Sequence, residues 1–323
     1  MVGDFMNSVF ILIVSFIALL WAANHLVTGA AGLVPRLKLS PLAMGLTVVA
    51  LSTSAPELIV AIIASIKDKN DLVVGNVMGA NIANIGLVLG ITILVKPMTL
   101  NYPNLKKAYP IIIIAMLFVY SLILDGFLGK VDGCLFLIAC IAMMSFFIYF
   151  TKPACKKREF NEFKSIVNAG QSLKTNLFNI ILGLIILPIS AKYLVMSAAD
   201  IARWSGMSEL TIGLTIMAIG TTLPELATAI TAALKDEEEI AVGTILGSNL
   251  YNLLLILAFP AIINPAKISN TILWRDMPTM LALTLLLFFL SYQYKKKLSP
   301  WHGGILLLIY CSYLVSMAIK AHP

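Results

Sequence analysis

Two stretches of the chain read almost alike: SPLAMGLTVVALSTSAPELIVAIIASIKDKNDLVVGNVMGANIANIGLVLGI spans residues 40–91, and SELTIGLTIMAIGTTLPELATAITAALKDEEEIAVGTILGSNLYNLLLILAF spans residues 208–259. Aligned without a gap, they are identical at 22 of 52 positions, which indicates an internal duplication. The Pro-Glu pair at 56–57 recurs at 224–225, and two asparagines follow at the same spacing in both copies. These are residues that a lipid-facing helix avoids, so their repetition indicates a common role.

The composition is that of a membrane protein. Of the 323 residues, 59% are hydrophobic and 12% are charged, and the mean hydropathy is +0.93. A soluble domain is usually about a quarter charged. The first apolar segment has no preceding Lys or Arg and no cleavage pattern after it, so we expect a retained helix.

Apolar segments long enough to cross a bilayer recur along the whole chain. We therefore predict an all-α membrane protein with ten transmembrane helices. The predicted spans are approximately 9–26, 41–66, 72–95, 110–124, 131–149, 177–196, 210–234, 240–263, 277–292 and 303–319.

The basic residues indicate how the chain crosses the membrane. With both termini outside, about 15 of the 23 Lys and Arg residues fall in inner loops and about 7 in outer loops. The positive-inside rule therefore favours external termini in a multi-pass protein of the inner (plasma) membrane. Because the basic residues are spread over several loops, we expect no nucleic-acid partner.

A polar segment divides the chain into two halves. We predict a first five-helix repeat at 1–151, a cytoplasmic linker at 152–176, and a second five-helix repeat at 177–323. A duplicated unit with an odd number of spans enters the membrane in opposite senses, so we expect inverted-topology repeats.

Glu57 and Glu225 fall in the middle of predicted spans. A carboxylate there costs at least about 2.5 kcal/mol, so it faces a cavity, binds a cation or stays protonated. The prolines before them remove backbone donors, which would free carbonyl oxygens nearby. Carboxylate, hydroxyl and carbonyl oxygens are ligands that suit Na⁺ or Ca²⁺ better than Zn²⁺ or Cu⁺.

The next span of each copy supplies amide oxygens. Asn81 and Asn84 are three residues apart and share a helix face, and Asn249 and Asn252 repeat this spacing. Taken singly, one buried Glu after a proline would also fit a neutral, hydrogen-bonded residue at a helix kink. Two copies with matching asparagines favour an ion site near the midplane.

At these residues the chain resembles the sodium/calcium exchanger family of the cation/Ca²⁺ antiporter superfamily, in its bacterial type. The motifs that carry the resemblance are two signatures. G-[ST]-[ST]-x-P-E is complete at 220–225 and has Ser in place of Gly at 52–57, and G-[SA]-N-x-x-[ND] is present in both repeats. The resemblance covers nearly the whole chain. It implies a secondary antiporter, not an enzyme, that exchanges Ca²⁺ for Na⁺ by alternating access, with the first and sixth helices sliding as a pair.

The resemblance also implies roles for individual residues. Glu57 and Glu225 match the central ligands for both ions. The other matching positions supply backbone or hydroxyl oxygens at Thr53 and Thr221, carbonyl oxygens at Ala50 and Ala218, hydroxyls at Ser54, Thr222 and Ser248, and amide oxygens at Asn84 and Asn252. Asn81 and Asn249 complete the set of candidate cation ligands.

Three positions depart from the family pattern. Ser52 replaces a Gly of the first motif, and Ala80 stands where a Ser hydroxyl often lies, which puts one flanking Na⁺ site in doubt. Asn252 stands where many members have Asp, so the Na⁺ stoichiometry or a K⁺ dependence can differ here.

Several alternatives stay open at this stage. The same two Glu residues could take up protons in a H⁺/Ca²⁺ antiporter, and a cation channel or a membrane scaffold belongs to a different class. We expect no cofactor, a lipid bilayer as the environment, a monomer, and Na⁺ and Ca²⁺ as transported ions, with H⁺ or K⁺ as further candidates.

Overall fold

The protein is described from a computed structural model, which covers residues 2–37, 39–99, 103–150, 172–207, 218–292 and 297–321. Over these ranges the chain is built almost entirely of helices. Eight helical segments are long and apolar enough to cross a membrane: Phe5–Leu37, Pro41–Ile66, Asn70–Val95, Lys130–Tyr149, Leu173–Trp204, Glu238–Ile263, Ile272–Ser291 and Pro300–Met317. Two shorter apolar helices, Ala108–Ile123 and Leu223–Leu234, accompany them.

The first half contains seven helices. They are α1 (Val2–Leu37), α2 (Pro41–Met44), α3 (Ala50–Ile66), α4 (Asn70–Ala83), α5 (Gly90–Val95), α6 (Pro103–Ile123) and α7 (Lys130–Phe150). Wide π-helical turns at Gly45–Val49 and Asn84–Leu89 join α2 to α3 and α4 to α5.

The second half repeats this order where it is described. Its helices are α8 (Leu173–Trp204), α9 (Ala218–Gly220), α10 (Leu223–Leu234), α11 (Glu238–Tyr251), α12 (Ala258–Ile263), α13 (Met277–Tyr292) and α14 (Pro300–Ala321). Wide turns at Asn252–Ile256 and Ile272–Asp276 lead into α12 and α13.

The predicted spans agree with these helices in order but differ in length. α1 and α8 extend well beyond the predicted 9–26 and 177–196. The added C-terminal part of α1 consists mostly of small and apolar residues that are buried against other helices. The predicted span 110–124 falls in α6, whose apolar part is short. The span 210–234 begins in residues 208–217, which lie outside the described ranges, as does most of the predicted linker at 152–176.

Two short antiparallel ladders, absent from the sequence prediction, join the halves at the helix ends. Strand β1 (Met98–Thr99) pairs with β4 (Lys297–Leu298), and β2 (Phe127–Leu128) pairs with β3 (Ala266–Lys267). Each ladder satisfies backbone groups that would otherwise be left unpaired between helices.

The two Pro-Glu segments differ in their local backbone. In the first, helix α3 runs on through Pro56, and the wide turn at Gly45–Val49 precedes it. In the second, the helix is interrupted between α9 and α10, and Pro224 lies in the first turn of α10. Proline is tolerated there because its missing N–H would have no intrahelical partner.

The longest described helix packs against its counterpart from the other half. α1 contacts α8 more extensively than any other pair of described elements do. Small residues allow this approach, since a Cβ at Gly183 would lie 2.6 Å from the Cβ of Leu26. Much of the opposite face of α1, including Phe10 and Ile17, is exposed and apolar, as expected for a lipid-facing surface.

Glycines also let the Pro-Glu segment of one half approach the asparagine helix of the other. A Cβ on Gly247 of α11 would lie 2.5 Å from the carbonyl oxygen of Leu46 and 2.6 Å from the Cβ of Ala50. A Cβ on Gly243 would lie 2.6 Å from the carbonyl oxygen of Leu42. Backbone atoms cannot move away cheaply, so these positions require glycine.

We predict that Gly247→Val destabilises the protein, by about 1–3 kcal/mol or more, because overpacking forces the two helices apart. Gly304→Val is the matched control, since a Cβ there meets no described atom within 4 Å. The measurement is the melting temperature of both variants in detergent. Equal melting temperatures would show that this contact does not hold the halves together.

Candidate functional site

The two acidic residues of the Pro-Glu pairs lie in one buried region. The exposed fraction is 7% for Glu57 on α3 and 2% for Glu225 on α10. The two carboxyl groups are close enough to interact electrostatically. Neither forms an ion pair with a described Lys or Arg side chain. Two acidic groups of the same charge type thus interact without a compensating Lys or Arg among the described residues.

A third carboxylate in a membrane-spanning helix, that of Asp276, has its charge compensated by neighbouring side chains. Asp276 is also buried, at 4% exposed. It accepts hydrogen bonds from Arg275 Nε at 2.6 Å and from the Tyr313 hydroxyl at 3.1 Å. Its charge is balanced by its neighbours, whereas the charges of Glu57 and Glu225 are not.

Hydroxyl groups from both halves surround Glu225. Its carboxyl group is within hydrogen-bonding reach of Thr53 and Ser248. The two hydroxyl oxygens are 3.2 Å apart, and the Thr53 hydroxyl also donates to the carbonyl oxygen of Ala50 at 3.1 Å. Four of the predicted residues are therefore gathered from α3, α10 and α11.

The four asparagines form a network with internal symmetry. Asn81 Nδ2 donates to the carbonyl oxygen of Asn249, and Asn249 Nδ2 donates to the carbonyl oxygen of Asn81, both at 3.3 Å. Asn84 Nδ2 donates to Asn249 Oδ1, and Asn252 Nδ2 donates to Asn81 Oδ1, both at 3.0 Å. Each bond maps onto its partner through the 168-residue offset that relates the two sequence repeats.

Several buried oxygens in this region make no hydrogen bond within the described protein. They are Ser54 Oγ, Glu57 Oε2, Asn84 Oδ1, Glu225 Oε2, Thr228 Oγ1 and Asn252 Oδ1. An unpartnered buried acceptor is expensive, and a bound cation would satisfy such oxygens. The described residues contain no group of three or more His, Cys, Asp or Glu that could hold a metal ion. The donor set is two carboxylates with neutral oxygens, which suits Na⁺ and Ca²⁺.

The remaining predicted residues lie at the helix break of the second half. Ala218 begins the short helix α9, and Thr221 and Thr222 form the turn that follows it. Thr222 is 2% exposed and its hydroxyl donates to the carbonyl oxygen of Ile219 at 2.9 Å.

Ala80 in the first half, which aligns with Ser248, is buried and has no hydroxyl to offer.

Sequence reasoning missed two neighbours of the site. Asn81 Nδ2 also donates to Met280 Sδ at 3.3 Å, a contact that no spacing in the sequence indicates. Thr228 was also missed, although its position three residues after Glu225 on one helix was a usable signal.

Carboxylates without a described basic partner and neutral oxygens, buried among helices long enough to span a membrane, are typical of polytopic membrane proteins that bind hard cations. The family model for "Sodium/calcium exchanger protein" matches residues 7–152 and 175–318. The chain belongs to the sodium/calcium exchanger family.

Full-length relatives agree with this assignment. The chain is 34% identical to the inner membrane protein YrbG of Escherichia coli (strain K12), over 96% of this chain and 95% of the relative. It is 30% identical to the sodium/calcium exchanger MaX1 of Methanosarcina acetivorans, over 94% and 97%. The fold is similar to that of the sodium-calcium exchanger NCX_Mj, with a TM-score of 0.83, 26% identity and coverage of 97% and 99%.

Proposed function

We propose that this protein exchanges Ca²⁺ for Na⁺ across the membrane by alternating access. The observation that carries the proposal is the pair of buried, interacting carboxylates, without a described basic partner, at aligned positions of the two repeats. A buried charge without a partner is costly, so these groups require a bound cation or a proton in every stable state.

The charge of the pair explains why two different ions compete. Two carboxylates at one site are neutralised by one Ca²⁺ or by two Na⁺ ions. A site loaded with both would carry excess positive charge in a low-dielectric environment, which is unfavourable. Binding of one ion therefore expels the other, and this competition is the basis of exchange.

We propose as ligands the residues that the sequence motifs indicate. Glu57 and Glu225 are the central ligands. The carbonyl or hydroxyl oxygens come from Ala50, Thr53, Ser54, Ala218, Thr221, Thr222 and Ser248, and the amide oxygens come from Asn81, Asn84, Asn249 and Asn252. The unpartnered oxygens of Ser54, Asn84 and Asn252 support this assignment.

Two departures from the family pattern affect the number of ions. Ser248 contributes a hydroxyl beside Glu225, and Ala80 contributes none at the aligned position. We propose that the flanking Na⁺ site on the Glu57 side is correspondingly weak. Asn252 gives an amide oxygen in place of a carboxylate, which leaves two fixed charges at the centre.

We also propose ten transmembrane helices in two inverted repeats of five, 1–151 and 177–323, joined by a cytoplasmic linker. The reciprocal asparagine bonds support a two-fold relation between the repeats. We place the chain as a monomer in the inner membrane with both termini outside. The pair α1 and α8, which lies outside the motifs, is proposed to slide as a unit.

The nearest alternative is exchange of Ca²⁺ for H⁺, because the same carboxylates can bind protons. The deciding experiment uses the purified protein in vesicles with external ⁴⁵Ca²⁺. An outward Na⁺ gradient at fixed pH should drive Ca²⁺ uptake, and a pH gradient without Na⁺ should not. Uptake with the pH gradient alone would instead establish proton coupling, and Ca²⁺ flux without a counter-ion would indicate a channel.

A control is needed because a residue outside the spans titrates near neutral pH. Burial, followed by repulsion from Glu239, raises the pKa of Glu237 to about 7. The transport rate can therefore vary with pH even when no proton is exchanged. Glu237→Gln removes this titration and should leave the requirement for Na⁺ unchanged.

We predict that Glu57→Gln and Glu225→Gln each abolish exchange, because the remaining single charge cannot neutralise Ca²⁺. Asp71→Asn, which changes an exposed carboxylate at the start of α4, is the matched control and should transport normally. The measurements are Na⁺-driven ⁴⁵Ca²⁺ uptake and the melting temperature. Normal uptake in both Glu variants would show that these residues only pack and that the transported ions bind elsewhere.

Asn252→Asp tests the effect of the missing carboxylate. The added acid should change the dependence of uptake on Na⁺ or K⁺ concentration, because it adds charge next to the central pair. Asn252→Ser is the control that alters size without adding charge. An ion profile identical to that of the unmodified protein would remove position 252 from the ion site.

A further inference from the structure

The hydroxyl group of Thr228, on α10, is buried without a hydrogen-bond partner in the described protein. The structure describes six buried threonines whose hydroxyl donates to a backbone carbonyl three or four residues earlier: Thr47, Thr53, Thr92, Thr222, Thr244 and Thr284. Thr228 is 0% exposed, yet its hydroxyl oxygen has no hydrogen-bond partner in the described protein.

The helix that contains Thr228 offers its hydroxyl the usual acceptor, a backbone carbonyl oxygen, so the absence of this hydrogen bond is informative. A buried helical threonine normally satisfies its hydroxyl through the carbonyl four residues earlier. Leaving a buried hydroxyl unpaired costs free energy, and most buried polar groups are therefore paired. Something outside the described protein atoms must satisfy this oxygen if it is to be buried without penalty.

The position of Thr228 on its helix places it next to Glu225. Thr228 follows Glu225 by three residues on α10, so the two side chains are neighbours on one helix face. Side chains on a helix lean toward its N-terminus, which directs Thr228 toward the Glu225 side. The Oε2 atom of Glu225 is also buried and unpartnered.

The first repeat has no equivalent of this group. The aligned residue is Val60, whose side chain is 57% exposed. The hydroxyl is therefore specific to the Glu225 side, the side where the hydroxyls of Thr53 and Ser248 also lie.

We infer that the hydroxyl of Thr228 is a ligand of a Na⁺ ion held by Glu225, an inference that rests on the proposed function. This half of the site has one carboxylate and several neutral oxygens. A charge of minus one balances a single Na⁺, whereas Ca²⁺ requires both carboxylates. An added neutral oxygen here favours Na⁺ and leaves Ca²⁺ binding at the centre nearly unchanged.

A purely structural role makes a different prediction. α10 also packs against α1, and Thr228 could be an unpaired hydroxyl in that contact. Replacing an unpaired hydroxyl by a methyl group of the same shape is neutral or stabilising and does not distinguish between ions. The two roles are therefore separated by ion selectivity.

The test compares Thr228→Val, which removes the hydroxyl at constant shape, with Thr228→Ser, which keeps it. Thr92→Val is the matched control, because Thr92 is a buried threonine that bonds only to its own helix. The readouts are the half-saturating concentrations of Na⁺ and of Ca²⁺ for exchange in vesicles, together with the melting temperature. Thr228→Ala replaces Thr228→Val if the latter does not fold.

We expect Thr228→Val to raise the half-saturating Na⁺ concentration by about five- to tenfold, the loss of one polar contact. The half-saturating Ca²⁺ concentration should change by less than about twofold, which is less than the loss of a contact to Ca²⁺ would cause. Thr228→Ser should restore Na⁺ binding. Unchanged Na⁺ dependence, equal weakening of both ions, or no rescue by Ser would overturn the inference. If the unmodified protein shows no Na⁺-driven uptake, the proposed function itself fails.

Discussion

The rest of the structure depends on the repulsion between two buried carboxylates. Glu57 and Glu225 come from opposite halves of the chain and interact electrostatically inside the membrane-spanning region. No described basic side chain balances them, in contrast to Asp276 with its Arg275 partner. A protein can keep such a pair only if a cation from solution, or a proton, completes the site. In the function that we propose, the free-energy cost of leaving this site empty is what drives cation binding.

The surrounding helices hold the two acids together despite this repulsion. Glycines at 243 and 247 bring α11 against the backbone of the other half, and the asparagine network ties the two repeats through reciprocal bonds. These contacts use neutral groups, so they add rigidity without satisfying the charge. The oxygens of Ser54, Asn84 and Asn252 make no hydrogen bond within the described protein, which leaves them available to a ligand. Because the same residues recur in both halves, the proposed site offers an ion equivalent groups from two sides.

Much of this could be predicted from the sequence, and the exceptions have physical causes. The apolar segments predicted the helical membrane fold, and the duplicated Pro-Glu pairs and spaced asparagines pointed to residues that the structure brings into contact across the halves. The different backbone at the two prolines could not be predicted, because proline fits either inside a helix or in its first turn. The contact of Asn81 with Met280 joins segments that the repeat does not relate. Whether the hydroxyl of Thr228 is paired depends on the rotamer that the packing selects, and the spacing of residues in the sequence does not reveal this rotamer.

The most direct test of this account is the location of the bound ion. We would determine the structure of the protein with Ca²⁺, using the anomalous signal of calcium, and again after exchange into high Na⁺. The account predicts one calcium peak between the carboxylates of Glu57 and Glu225 that disappears when Na⁺ replaces Ca²⁺. A calcium peak elsewhere in the protein, or one that persists unchanged in high Na⁺, would contradict it.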